Sequence, residues 1–353
     1  MVKHWKWKIR WIALSVFMVA LFIPCVMCVN HLEIAQGARL PARTIVNKMG
    51  NANEQTGQIY RGLWVWNTDI VDNAGAQDDF FTFARFKDID GAYLYAYSLL
   101  ASNPDGLGDF IQRAAGAGIS VELLAGDPSW ALSTTHSIAL GFVQQAITFT
   151  QSMTESSKPV GIHLDIEPYL LPEWNTDQSG TISQYLDVLG QSKQELMGSG
   201  TALSLTVDIP FWYDTITATY QNETKPLNQH VQDIVDRVAL MDYRDFAEGA
   251  DGLIVHAENE MEYAQSITKA LVIGVETNDL DPEKITFFEE GEAVMESELA
   301  LVAQYYQTNS AFYGFAIHDY VGYRRLAPIS RVYLPLLLRN HVELEPLGGS
   351  LKE

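Results

Sequence analysis

From Arg61 onward the chain alternates between two kinds of segment. Short apolar runs rich in β-branched and aromatic residues occupy 62–66, 91–97, 119–125, 161–167, 202–208, 237–243, 271–277 and 312–318. Between them, Leu107–Ala117, Ile138–Met153, Ile182–Met197 and Glu292–Tyr306 carry apolar residues at helical spacing. Eight strand-like runs separated by helical ones predict an α/β fold, a closed parallel (β/α)8 TIM barrel over 61–330. An open doubly wound sheet is the alternative. It normally brings a Gly-rich phosphate turn after its first strand, and here that place reads Asn67-Thr-Asp. No internal repeat is visible.

The N-terminal part follows a different pattern. A basic stretch with Lys3, Lys6, Lys8 and Arg10 precedes nineteen uncharged, mostly apolar residues, Trp11–Val29. Residues 1–30 therefore read as a signal peptide or a membrane anchor, with residues 11–29 as the possible membrane attachment. The basic flank would stay in the cytoplasm and the body outside it, secreted or anchored. Residues 31–60 are polar and aperiodic, a linker; 331–353 form a C-terminal tail with no assignable role.

Charge narrows the partners. The formal net charge is −21, and without residues 1–30 there are 19 bases against 44 acids, a net −25. Such a surface repels phosphate backbones, so nucleic acid is not expected as a partner. Both cysteines, Cys25 and Cys28, lie in the N-terminal apolar run, so the body has no thiol for a disulfide or a metal. Asn222-Glu-Thr is a formal glycosylation sequon with nothing else to support it.

A barrel carries its active site where strands end and βα loops begin. Reading those ends gives Trp64 and Trp66, Tyr95, Asp127 and Trp130, Asp165, Glu167 and Trp174, Asp208 and Trp212, Asp242 and Tyr243, Glu276, and His318. All five tryptophans beyond residue 30 fall on or just after a strand, as aromatic platforms for sugar rings would. In the fourth run His163, Asp165 and Glu167 alternate with Leu164 and Ile166, so the three polar side chains share the face that looks into the barrel. Asp165 and Glu167 are about 6.5 Å apart along such a strand. Two partly desolvated carboxyls that close cannot both ionise freely, and a raised carboxyl is what a general acid needs at neutral pH. His163 sits one layer deeper. No metal or other cofactor is expected: the first strand reads Trp64-Val-Trp66 where metal-dependent barrels place histidines, and the remaining histidines lack ligand spacing.

The run Gly161-Ile-His-Leu-Asp-Ile-Glu167 resembles the strand-four motif of the chitinase-like family 18 glycosidases, which ends Asp-x-Asp-x-Glu. Met241-Asp-Tyr243 resembles that family's Met-x-Tyr on strand six. The resemblance implies a barrel that cleaves glycosidic bonds of a poly- or oligosaccharide, with Glu167 as acid/base. It implies that Asp165 orients a substrate acetamido group whose carbonyl Tyr243 holds as it attacks the anomeric carbon. Trp64, Trp66, Tyr95, Asp127, Trp130, Trp174, Asp208, Trp212, Asp242, Glu276 and His318 are the candidate substrate contacts. The chain departs from the family pattern at His163, which stands in place of an Asp, at Leu124-Ala-Gly-Asp-Pro, and at His318, which stands in place of a Trp. Two other readings stay open: a retaining glycosidase using Glu167 and Glu276, and a carbohydrate-binding barrel without catalysis.

Overall fold

The computed structural model describes residues 59–326. The N-terminal segment 1–30, nearly all of the linker, and the tail 331–353 lie outside the described residues. Among the described residues, no helix is long and apolar enough to cross a membrane.

Among the described residues there are ten strands: β1 (Tyr60–Val65), β2 (Gly91–Tyr95), β3 (Ser120–Ala125), β4 (Gly161–Leu164), β5 (Ser204–Pro210), β6 (Thr217–Tyr220), β7 (Glu223–Pro226), β8 (Arg237–Met241), β9 (Ala270–Glu276) and β10 (Phe312–His318). Eight of them close a barrel in the order β1-β10-β9-β8-β5-β4-β3-β2, with every neighbouring pair parallel. The eight apolar runs of the sequence are these eight strands. The pair β6–β7 is an antiparallel hairpin inserted after β5. Its turn places Gln221 and Asn222 at φ 49° and 67°, the two left-handed residues of a tight hairpin turn. Tyr220 donates to Asp187 at 2.9 Å and so ties the hairpin to the helix 178–198.

The crossover helices start where the sequence marks them. Asn73 accepts from the N–H groups of Gly75 and Ala76, Asn103 from that of Gly106, and Asp177 from that of Gly180, each satisfying donors a helix leaves free. Pro104 follows its cap at the first helical position, where the missing N–H costs nothing. Alternate strand residues then divide the interior. One set (Leu63, Val65, Leu94, Leu123, Ile162, Leu164, Val207, Leu240, Ile273, Ile317) packs against the helices in the main core. The other faces the lumen, where Trp64, Tyr93, Leu124, Ala239, Val272 and Ala316 form a second, smaller apolar cluster. The lumen is filled with side chains, so a ligand can reach only its ends.

Candidate active site

The plug in the lumen is built around Trp64. Its indole reaches from β1 across to Gly274 on β9, where an added Cβ would come within 3.0 Å of the ring and 2.8 Å of the Leu240 carbonyl. The indole N–H donates to Asp208 Oδ2 on β5 at 3.2 Å, and the ring lies edge-on to Tyr93, His163 and His318. Trp64 is 1% exposed and so forms the floor of the site.

On that floor stand the residues of β4. The N–H of Asp165 continues the ladder to the Ala125 carbonyl at 3.0 Å. Gly126 follows at a place where any Cβ would collide with the Asp165 carbonyl oxygen, so the two chains close to glycine distance just below the mouth. Burial pushes the Asp165 carboxyl well above the usual carboxylate range; the charges of Glu167 and Asp208 push it further, while His163 and His318 pull it back. Burial also raises Glu167, to about 7, with Asp208 adding and His318 opposing. Between them the two carboxyls hold a proton near neutral pH. Asp165 Oδ1 is buried without a hydrogen-bond partner, while Glu167 Oε2 accepts from the Tyr169 hydroxyl.

The opposite wall comes from β8, β9 and β10. Tyr243 lies beyond β8, on the lumen parity of Ala239, and its ring is 5.9 Å from that of His318. Burial raises its hydroxyl far above the ordinary value, and the charges of Glu276, Asp208, Asp165 and Glu167 add to this in that order. Tyr243 therefore stays a neutral donor facing the carboxyl pair. Glu276 is buried and fully engaged. Oε2 takes His318 Nδ1 at 2.7 Å, and Oε1 accepts from Thr277 N, Asn278 N and Asn278 Nδ2 at 2.7, 2.7 and 2.9 Å. Burial alone would raise its carboxyl, but His318 and these donors outweigh it and hold it below the ordinary value. A carboxylate with both oxygens occupied and its charge compensated is a poor nucleophile, so the geometry does not favour the reading that uses Glu167 with Glu276.

Burial pushes His318 down, but the carboxylate of Glu276 outweighs it and brings it to about 9. The indole N–H of Trp66 points at His318 Nε2 at 3.0 Å, a contact that only the neutral Nδ1–H tautomer accepts. The imidazolium form must turn Trp66 away. The peptide between His318 and Asp319 is cis, and Asp319 caps the next turn by accepting from Gly322 N at 2.8 Å.

Aromatic residues extend the site to one side. Tyr169, which touches Glu167, packs with Trp212 at 5.1 Å and Trp174 at 6.5 Å, and both tryptophans are half-buried. Trp66 and Tyr95, 5.8 Å apart and half-buried, form a second aromatic edge. Glu167, Asp165, Tyr243, Trp66, Tyr95, Trp174, Trp212 and His318 are thereby gathered about one mouth.

Several expected contacts fall elsewhere. Asp242 is fully buried on the helix side of β8, bonded to His256 Nδ1 at 3.0 Å; next to Tyr243 in sequence, it has the opposite parity. Its carboxyl is pushed up to about 6 by burial, against the pull of His256. Trp130 is 5% exposed and packs with Phe142 and Tyr97 against the helical shell. Asp127 spends its Oδ1 on Ser129 N at 2.9 Å and Ser129 Oγ at 2.6 Å, closing a turn. Asp208 lies beneath the mouth with both oxygens bonded, so like Trp64 and Glu276 it acts on the site through charge and packing. In the other direction, Glu122, which is not at a strand end, stands under the site and bonds His163 at 3.2 Å. Its signal was an acid at a lumen position within an otherwise apolar run.

Among the described residues, no group of three or more His, Cys, Asp or Glu side chains is arranged to hold a metal ion. A surface groove of about 560 Å3 between the helices 136–152 and 178–198 is lined by Leu140, Gln144, Gln191 and Glu195, and contains none of the site residues.

No protein-family profile matches the chain, and no curated protein sequence does. Solved structures do resemble it. A GH18 chitinase from Flavobacterium johnsoniae is 15% identical with a TM-score of 0.44, over 74% of this chain and 88% of its own. A chitinase from Chromobacterium violaceum is 12% identical with a TM-score of 0.43, over 76% and 98%. A spore cortex-lytic enzyme from Bacillus megaterium is 12% identical with a TM-score of 0.43, over 75% and 74%. At identities and scores this low, the likeness carries no activity across to this chain.

Proposed function

We propose that the protein is a glycoside hydrolase acting on a poly- or oligosaccharide, with Glu167 as general acid and base. The observation that carries this is the pair at the end of β4. One buried Asp165 oxygen lacks a partner, and beside it a carboxyl raised to about 7 opens to the mouth of the barrel. A buried oxygen without a donor is costly unless a ligand supplies one. An acetamido N–H on the sugar would do so, and Tyr243 across the mouth would donate to that group's carbonyl.

In the forward step the Glu167 proton passes to the glycosidic oxygen as the bond from that oxygen to the anomeric carbon breaks. The acetamido carbonyl oxygen bonds to the same carbon and gives a cyclic cation whose N–H rests on Asp165. Glu167, now a carboxylate, takes a proton from water; the hydroxyl opens the ring with retained configuration, and the acid is restored. Trp174 and Trp212, beside Tyr169, offer faces to neighbouring sugars. Residues 1–30 would direct this body out of the cytoplasm, a proposal checked by whether protease added to intact cells reaches the barrel.

The test is hydrolysis of a panel of N-acetylated and unsubstituted glycans by wild type and Glu167→Gln. Gln keeps the shape and removes the transferable proton, so turnover should fall about 10²–10⁴-fold while ligand affinity is retained. Equal turnover by both would remove Glu167 from the chemistry. Binding without turnover by wild type would leave a carbohydrate-binding barrel.

A further inference from the structure

The lumen beneath the carboxyl pair holds a line of charged groups that the proposed reaction does not use. Arg237 of β8, its guanidinium over the rings of Tyr60 and Tyr313, pairs with Glu122 Oε1 on β3. Glu122 Oε2 lies 3.2 Å from His163 Nδ1, and His163 Nε2 lies 2.8 Å from Asp208 Oδ1 on β5. Asp208 Oδ2 accepts from Trp64. His163 has no exposed surface, and its ring is 4.3 Å from that of Tyr93 on β2.

The hydrogen-bond inventory limits what His163 can be. A neutral imidazole has one N–H and one lone pair, so facing two carboxylates it satisfies one and repels the other. An imidazolium donates to both. It also balances the line: Arg237 and His163 carry two positive charges against two negative ones on Glu122 and Asp208. An unbalanced charge in a lumen filled by side chains is strongly disfavoured.

We propose that His163 is a buried imidazolium and a positioning residue for catalysis: its charge offsets Asp208 beneath the mouth and keeps the Asp165–Glu167 pair at one shared proton. The proposal rests on the acid/base reading of Glu167 for its purpose, but the charge state itself does not. Without the cation, Arg237 alone faces Glu122 and Asp208, one negative charge stands uncompensated below two carboxyls that already crowd each other, and both carboxyls then hold protons at neutral pH. A doubly protonated pair has no anion on Asp165 to receive a positively charged intermediate. The other charged or titratable groups facing this region are Tyr93 from β2, Tyr243 beyond β8, Glu276 from β9 and His318 from β10, with Tyr185 of the helix 178–198 and Tyr213 just after β5. His318 is already committed to Glu276. Both nitrogens of His163 are taken by Glu122 and Asp208, so no N–H is left for Asp165; its influence on the pair is through charge.

The experiment is nuclear magnetic resonance on the full chain, with no substrate present. Ring ¹⁵N shifts, assigned by comparison with His163→Gln, should show two protonated nitrogens for His163 at pH 7; a neutral tautomer there overturns the proposal. Carboxyl ¹³C titration, assigned with Asp165→Asn and Glu167→Gln, should give two steps for the pair. The lower step should move up by at least one pH unit in His163→Gln and return part of the way in His163→Gln/Glu122→Gln, where charge balance is restored. That double variant also serves if the single one fails to fold. Steps that stay in place in a folded variant reduce His163 to packing and overturn the positioning role. Where a hydrolysed glycan is found, the acid limb of kcat/KM should move with the lower step. Failure to find any substrate counts against the proposed function and leaves the titration result standing.

Discussion

Replacing Glu167 should make the protein more stable, by an amount that grows as pH rises from about 4.5 to about 7. In the folded chain Glu167 gives up its proton near 7; in the unfolded chain it does so near the ordinary 4.5. Between those values the folded state binds more protons than the unfolded one. Stability therefore falls as pH rises through this window, and above it the loss is complete. Two and a half pH units correspond to about 3 kcal/mol. Glu167→Gln keeps the acceptor for the Tyr169 hydroxyl and removes the ionisation, so it abolishes that loss. It also removes one of the charges that raise Asp165, an effect of the same sign. Urea unfolding of both proteins at pH 5 and pH 8 measures the difference directly. The variant should nearly match wild type at pH 5 and exceed it by about 2–3 kcal/mol at pH 8. A difference of the same size at both pH values would show that Glu167 is not held in a desolvated environment that disfavours its charged form. It would remove the argument for Glu167 as an acid poised near neutrality.

Other outcomes follow from the placement of the aromatic and acidic residues. Trp174→Ala or Trp212→Ala should weaken oligosaccharide binding by about 1–3 kcal/mol in calorimetry, the scale for losing an aromatic anchor. Trp130→Ala should leave binding unchanged and cost about 3–5 kcal/mol of stability, because that ring is packed into the helical shell. Asp242→Asn should leave kcat within about twofold, since Asp242 faces His256 and not the mouth; a loss on the 10²-fold scale of a catalytic group would contradict that placement. Gly274→Ala should destabilise the fold by about 1–3 kcal/mol and alter the near-ultraviolet circular dichroism, as the new methyl displaces Trp64 from the lumen.

Much of the architecture was legible without coordinates. The eight barrel strands coincide with the eight apolar runs to within a few residues, because each strand is a locally encoded segment bounded by caps and turns. The hairpin of β6 and β7 has no such local signal. Its sequence, TATY-QN-ETKP, is mostly polar, and its packing against the helix 178–198 is a tertiary matter. At the site, the shared inward face of His163, Asp165 and Glu167 was readable from a period of two. The same period distinguishes Tyr243, which faces the lumen, from Asp242, which faces the helices. Trp130 could not be placed that way: it sits in a turn after β3, where strand alternation has ended and the path of the loop decides what a side chain meets.

The chain's own pattern determined that a barrel forms, which residues look into it, and that two carboxyls end up together at the close of β4. All of these follow from spacing within a few residues. Tertiary structure alone decided which inward residues are covered and which are open. Trp64, Asp208 and Glu276 have the right parity for contact with a ligand, yet each is sealed by partners from other strands. His163 meets Glu122 and Asp208 across separations of 41 and 45 residues. Parity is a property of one strand, while cover and charge balance depend on the order and register in which eight strands close, and no single segment carries that information.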